Sequence, residues 1–232
     1  MSDLDQALLR DATLVFDLDG TLVDSAPDIV RALNRTLDLE GLPGVSLPGV
    51  RKLIGQGART LVERSAALSG VSFAPERLDE LTNAFIEAYS AEIALESTLA
   101  PGVEAALETC AGAGAILVVC TNKLTGLSRQ LLTGLGLADR FAAIVGADAV
   151  TRRKPHPEHY REAVARAGGR LERSVMVGDS AADVSTARGA EAPVILVTFG
   201  YTDTPPDMLG ADALISHFSE LPAAAGRLLA RR

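Results

Sequence analysis

From Ala100-Pro101-Gly102 onward, short apolar runs alternate with helix-period segments, and this alternation constrains the fold more than any other feature of the chain. Helical patterns over 103–111, 124–135, 157–167 and 181–189 each precede an apolar run, over 115–120, 142–145, 174–177 and 193–197. A last short strand over 213–215 leads into a final helix. Strands that each need a crossover helix to reach the next one build a parallel sheet with helices on both faces and right-handed connections. The run Ala12-Thr13-Leu14-Val15-Phe16 predicts one more buried strand near the start. Between residues 24 and 98 no strand is convincing; helical patterns cover 57–68, 75–95 and a segment that starts at Ser25, with Asp28 as its capping-box partner. The expectation is a doubly wound parallel α/β sheet built from residues 1–23 and 99–232, with residues 24–98 inserted as an all-helical cap domain.

The first strand stops at an unusual place. Asp17-Leu18-Asp19-Gly20-Thr21 follows Phe16, and Asp is a poor strand residue, so a buried strand ends where acidic groups become useful. Two carboxylates this close repel each other unless a cation sits between them. An oxygen-only site of this kind suits Mg²⁺, held by one or two carboxylates together with waters and a substrate phosphate.

Composition narrows the function classes. A chain of 232 residues with 47% hydrophobic residues can bury a real core. A net charge of −8 argues against nucleic acid or an anionic membrane as partner, and Arg231-Arg232 is too short to change that. No apolar stretch reaches the roughly 18 residues that a membrane span needs, and Met1-Ser2-Asp3-Leu4-Asp5 lacks the regions of a signal peptide, so a cytoplasmic protein is expected. Cys110 and Cys120 sit in apolar surroundings and read as small buried thiols. Lys52, Lys123 and Lys154 are the only lysines. In a chain that otherwise uses arginine, a retained lysine hints that a compact ammonium is wanted.

Three further segments stand in order after the acidic pair: Val119-Cys120-Thr121-Asn122-Lys123, Lys154-Pro155-His156-Pro157 and Val177-Gly178-Asp179-Ser180-Ala181-Ala182-Asp183. With these four motifs the chain resembles the haloacid dehalogenase (HAD) superfamily, whose members mostly hydrolyse phosphate esters through an aspartyl-phosphate. The resemblance implies strand order 5-4-1-2-3, in which the first and fourth motif strands are neighbours and Asp17, Asp19 and Asp179 share one Mg²⁺. It also implies that Asp17 is the nucleophile. Asp19 would then protonate the leaving oxygen, activate water and lend its backbone carbonyl to the metal, its proton held by burial beside other acids. Lys154, held in extended geometry before Pro155, would offset phosphoryl charge. Asp183 would orient ligands or waters from behind the metal ligands.

Candidate substrate contacts are Gly20, Thr121, Asn122 and Arg64. The hydroxyl and backbone N–H groups of Thr121 and Asn122 would face phosphoryl oxygens at a helix start. Arg64 would reach a substrate carboxylate with its bidentate fork, with Arg59 and Lys52 as equal contenders. His156 and His159 read as structural. Within the superfamily the pattern is most similar to the phosphoglycolate phosphatases, through Leu22-Val23-Asp24-Ser25-Ala26-Pro27, Ile54-Gly55-Gln56-Gly57 and Phe199-Gly200-Tyr201. The second acid, Asp19, argues against dehalogenation. The alternatives are a broader phosphatase on nucleotides, sugar phosphates or pyrophosphate, a β-phosphoglucomutase-like enzyme, and a catalytically silent binding module. The substrate is expected to be a small phosphate ester and the protein a monomer or homodimer.

Overall fold

The computed structural model describes residues 7–231. The Met1–Asp5 start and Arg232, on which the signal-peptide reading and part of the terminal-charge reading fall, lie outside the described residues. Eight strands are described: β1 (Thr13–Phe16), β2 (Val23–Asp24), β3 (Thr98–Leu99), β4 (Ile116–Cys120), β5 (Ala143–Val145), β6 (Ser174–Gly178), β7 (Val194–Val197) and β8 (Ala213–Ile215). The α-helices are α1 (Ala26–Asp38), α2 (Leu47–Arg51), α3 (Ala58–Ala67), α4 (Pro75–Ala91), α5 (Val103–Gly112), α6 (Thr125–Gly134), α7 (Pro157–Arg166), α8 (Ala181–Gly189) and α9 (Leu221–Leu229).

Six strands form one parallel sheet in the order β5-β4-β1-β6-β7-β8. Numbered along the chain without the two short strands, this is 3-2-1-4-5 with β8 added outside, so the expected strand order holds and β1 and β6 are neighbours. Both faces of the sheet are covered, which explains why its strands read as unbroken apolar runs. Leu14 and Phe16 join Val119 and Val177 on the face backed by α5, α6 and α9, whereas Val15, Val118 and Met176 pack on Tyr160 of α7 and Val184 of α8. Each such side chain contributes roughly 1.5–3 kcal/mol by leaving water.

The residues between β2 and β3 contribute α1 to α4 and no strand. Helices α1 and α4 pack along each other, and α3 packs on α4, through Ile29, Leu33, Leu61, Val62, Leu81 and Phe85, which are continuous with the core under the sheet. The chain leaves the sheet layer at β2 and returns at β3, and these two pair antiparallel with Asp24 opposite Thr98. Among the described residues no helix is long and apolar enough to cross a membrane.

One local expectation fails. Helix α1 starts after Ser25 as the sequence predicts, but no capping box forms and Ser25 makes no cap hydrogen bond. The Ser25 hydroxyl instead donates to Asp19 Oδ1 at 2.5 Å. The Asp28 carboxylate turns away from the helix start to accept from the Glu96 and Ser97 amides and the Ser97 hydroxyl, and pairs with Arg31 at 2.7 Å. Both side chains find stronger partners at long range than the helix end offers, and Asp28 thereby clamps the start of α1 to the segment that leads into β3. The short helix α2, started by Pro48 in its first turn, was hidden among the glycines and prolines around it.

Candidate active site

Every sheet strand that carries a motif ends at the same edge. Asp17 follows β1, Thr121 and Asn122 follow β4, Lys154 lies in the loop after β5, and Asp179 follows β6. The ladder runs one residue past the strands, since the Asp17 amide donates to Val177 O at 2.9 Å and the Thr121 amide to Val145 O at 3.1 Å. Ligands in open α/β sheets bind beyond this edge, where connections diverge to opposite faces.

Lys154 is 3% exposed and bridges two acids, with Nζ 2.8 Å from Asp17 Oδ1 and 2.7 Å from Asp183 Oδ1. Burial alone would lower its pKa, but the charges of Asp17 and Asp183 outweigh it and hold the ammonium above its ordinary value. Asp17, Asp179 and Asp183 each place a carboxylate oxygen within 4.8 Å of the others. Burial pushes the Asp17 carboxyl up to about 6 against the pull of Lys154, and burial followed by the charges of Asp183 and Asp17 lifts Asp179 well above the usual carboxylate range. Three buried acids thus share one ammonium. That imbalance, with an oxygen-only donor set, fits a hard divalent cation.

The surroundings fix these acids in place. Asp179 accepts from the Tyr201 amide at 2.7 Å and from the Thr21 hydroxyl at 3.3 Å. Asp183 Oδ2 accepts from the Ser180 hydroxyl and from the amides of Ser180 and Asp179, forming a true capping box on α8. Gly178 permits this, because a Cβ there would collide with the Asp183 carboxylate.

Two of the candidate substrate contacts differ from expectation. Gly20, at φ +83°, does not offer a free amide, because its N–H donates to Val23 O at 2.9 Å; what the position demands is smallness, a Cβ there lying 2.6 Å from Asp179 Oδ2 and 2.9 Å from the Tyr201 ring. Arg64 is exposed and does not line the cavity described below. Only the first turns of α3 approach the cavity, through Ala58, Arg59 and Leu61, and Arg64 lies past them on the solvent face. Lys52 pairs with Asp203 at the surface. Thr121 and Asn122 do line the cavity, but both Asn122 amide hydrogens are engaged, Nδ2 donating to Gly55 O at 2.9 Å and Lys154 O at 3.1 Å.

The cavity, of about 230 Å³, opens between the sheet edge and the helical layer. Asp17, Asp19 and Thr121 form its floor, and Leu53, Phe85, Ile86 and Leu127 give it largely apolar walls. Asp19 does not join the other acids. Its carboxylate accepts from Lys123 Nζ at 2.8 and 2.9 Å and from Ser25, so an ammonium and a hydroxyl stand where the sequence led us to expect neighbouring acids. The Lys123 ammonium is itself buried and lies 4.6 Å from the centroid of the Tyr89 ring of α4. Burial depresses its pKa less than Asp19 raises it.

The sequence marked Ser25 only as a helix cap and gave Lys123, Tyr89 and Arg153 no place in the site. The scarcity of lysine and a place at the end of the second motif were the signals for Lys123; Tyr89 and Arg153 depend on contacts made at long range. Both histidines of the third motif are structural, as expected. His156 caps α7 by accepting from the Glu158 amide, and buried His159 accepts the Lys154 N–H on Nδ1 at 3.2 Å while Nε2 faces Val145 O at 3.0 Å. Cys110 and Cys120 are buried free thiols, as expected, and burial raises both.

Comparison with known proteins gives a consistent picture. Residues 14–197 match the haloacid dehalogenase-like hydrolase family. A phosphoglycolate phosphatase of Caulobacter vibrioides is 48% identical over 95% of this chain and 93% of its own length, and one of Agrobacterium fabrum is 44% identical over 90% of each. The crystal structure of a predicted phosphoglycolate phosphatase from Haemophilus somnus superposes with a TM-score of 0.85 at 29% identity, covering 92% of this chain and 96% of that one.

Proposed function

The chain belongs to the haloacid dehalogenase-like hydrolases, and from that premise we propose that it is a Mg²⁺-dependent phosphate monoester hydrolase whose substrate is 2-phosphoglycolate. The observation that carries the reading is the pairing of buried Asp17 with Lys154 beside one small cavity that Asp17 and Asp19 both line. Residues 24–98 act on this reading as a cap over a core made of residues 1–23 and 99–232.

In the proposed mechanism the Asp17 carboxylate attacks phosphorus and the ester P–O bond breaks, leaving an aspartyl-phosphate. Asp19, which takes up a proton from solvent once it has left Lys123, gives that proton to the departing alkoxide and then takes one from the water that attacks the aspartyl-phosphate, releasing inorganic phosphate and regenerating Asp17. To reach the leaving oxygen, the Asp19 side chain turns from Lys123. Lys154 offsets charge on the phosphoryl oxygens, and the Thr121 hydroxyl donates to one of them. Asp17, Asp179 and the backbone carbonyl of Asp19 would hold Mg²⁺, which when bound neutralises phosphoryl charge that would otherwise repel an anionic nucleophile. Asp183 holds Lys154 in position. Its Oδ2 is already filled by three donors and its Oδ1 by Lys154, which supports a positioning role over direct ligation.

The cavity also bears on the substrate. Its apolar walls offer few partners for the hydroxyls of a sugar or nucleotide phosphate, which favours a small ester. The test is phosphate release from 2-phosphoglycolate, glucose 6-phosphate, a nucleoside monophosphate and pyrophosphate, with Mg²⁺ and with EDTA, for wild type and Asp17→Asn. Activity that needs Mg²⁺, is highest on 2-phosphoglycolate and drops at least about 1,000-fold in the variant is the expected result. Equal rates on all four esters would replace the reading with a generalist phosphatase.

A further inference from the structure

Resting on the reading that the substrate is 2-phosphoglycolate, we infer that Lys123, assisted by the Tyr89 hydroxyl, is the group that recognises the substrate carboxylate. Lys154 is already committed between Asp17 and Asp183, on the side where the phosphoryl group must lie. A second anionic group on the substrate needs a cation of its own. The cations that line the cavity are Arg59, Lys123 and Arg153. The Arg59 guanidinium points to solvent, where it donates to Asp79 at 2.7 Å. The Arg153 guanidinium is exposed at the mouth and donates to Gln56 O at 3.0 Å. Lys123 has 6% side-chain exposure and stands on the cavity floor.

Substrate chemistry selects among them. In 2-phosphoglycolate a single carbon separates the leaving oxygen from the carboxylate, so the cation must adjoin the residue that serves the leaving oxygen. Asp19 is that residue in the proposed mechanism, and Lys123 Nζ touches both of its oxygens. When the carboxylate enters, it competes with Asp19 for the ammonium, and Asp19 is freed to turn toward the leaving oxygen. A substrate without the carboxylate leaves Asp19 engaged.

A second, independent observation points to a ligand at this place. Tyr89 is 2% exposed and lines the same cavity, yet its hydroxyl, which lies close to the Lys123 ammonium, makes no hydrogen bond of normal geometry and has no acceptor for its proton. A buried phenol without a partner is costly, and a carboxylate held by Lys123 would accept its proton in a hydrogen bond. Tyr89 belongs to α4 of the helical layer and Lys123 to the sheet edge, so the anion site is complete only when the two are together. The apolar walls leave the attraction between ammonium and carboxylate little screened.

The test compares 2-phosphoglycolate with its neutral isostere 2-phosphoglycolamide in wild type, Lys123→Met, Lys123→Arg and Tyr89→Phe, each with a melting temperature as a control for folding. In wild type kcat/KM should favour the acid by about 100-fold, with much of the difference in kcat. Lys123→Met should lower the rate on the acid, because its carboxylate loses the ammonium, without lowering the rate on the amide, because Asp19 is no longer held, and so should compress the preference to about threefold or less. Lys123→Arg should restore part of it. Tyr89→Phe, which leaves Asp19 and Lys123 intact, should reduce the preference by about tenfold, the worth of one hydrogen bond to a charge. If Lys123→Met slows both substrates equally and keeps the wild-type preference, Lys123 is only a counter-ion for Asp19 and the inference is overturned; if that variant fails to fold, an unchanged preference in Tyr89→Phe overturns it. A wild type that hydrolyses other esters well and shows no preference for the acid would instead refute the substrate reading on which the inference rests.

Discussion

His159 gives the protein a sensitivity to mild acid that can be calculated from its contacts. The ring is buried, accepts the Lys154 amide on Nδ1 and faces Val145 O through Nε2, so it is the neutral tautomer with its proton on Nε2. Burial, followed by the charge of Lys154, lowers its pKa from the usual 6.5 to about 4. Between those values the unfolded chain carries one more proton at this site than the folded chain, so stability falls as pH falls. At about 1.4 kcal/mol per pH unit, lowering the pH from about 7.5 to about 5 removes roughly 2 kcal/mol through this residue. For a chain of this size that is about 4–8 °C in Tm. The assay is urea unfolding across that pH range for wild type and His159→Gln, which keeps a donor and an acceptor but does not titrate. Other groups titrate in both proteins, so the readout is the difference between the two slopes. Parallel slopes, within about 0.3 kcal/mol per pH unit, would mean that the folded ring protonates freely, and would refute the Lys154–His159–Val145 link.

Asp28→Asn should cost about 3 kcal/mol, because the Ser97 hydroxyl, two amides and Arg31 lose a buried charged acceptor, while kcat below the melting transition stays within about twofold. A Tm within about 2 °C of wild type would refute the clamp. Lys154→Met should reduce kcat at least about 1,000-fold and, in EDTA, lower stability by roughly 3–5 kcal/mol by leaving three buried acids without their ammonium; Mg²⁺ should raise the Tm of this variant, and no response to Mg²⁺ would count against the cation site. Arg64→Ala should leave kcat/KM for 2-phosphoglycolate within about twofold, since Arg64 is exposed and outside the cavity wall, and a tenfold loss would return it to the substrate site.

What the sequence conveyed depended on how local each signal was. Strand and helix positions after residue 100 were legible because buried parallel strands and their crossover helices impose different periods on neighbouring segments. The edge at which the four motifs meet followed from topology, because each motif stands just after a strand. Ser25 and Asp28 show where this reasoning stops. Both carry the local signature of a helix cap, yet partners 6 and about 70 residues away bind them better. Arg64 failed for a related reason, since helical periodicity gives the face a residue occupies but not which end of the helix meets a cavity. Lys123 was visible as an oddity of composition and as the last residue of the second motif, but its pairing with Asp19, 104 residues earlier, had no counterpart in any local pattern.

The antiparallel pairing of β2 with β3 has a consequence for how such proteins diversify. Asp24 and Thr98 face each other directly, so the two ends of the 73 or so residues between them lie one strand spacing apart. A segment with adjoining ends can be lengthened, exchanged for another or replaced by a tight hairpin turn without moving the strands that carry Asp17, Asp179 and Lys154. The helical wall over the cavity and the bond-breaking chemistry are therefore heritable as separate pieces, and a chimaera made at Asp24 and Thr98 should transplant Tyr89 and its apolar neighbours while leaving Lys123 and the catalytic residues in place.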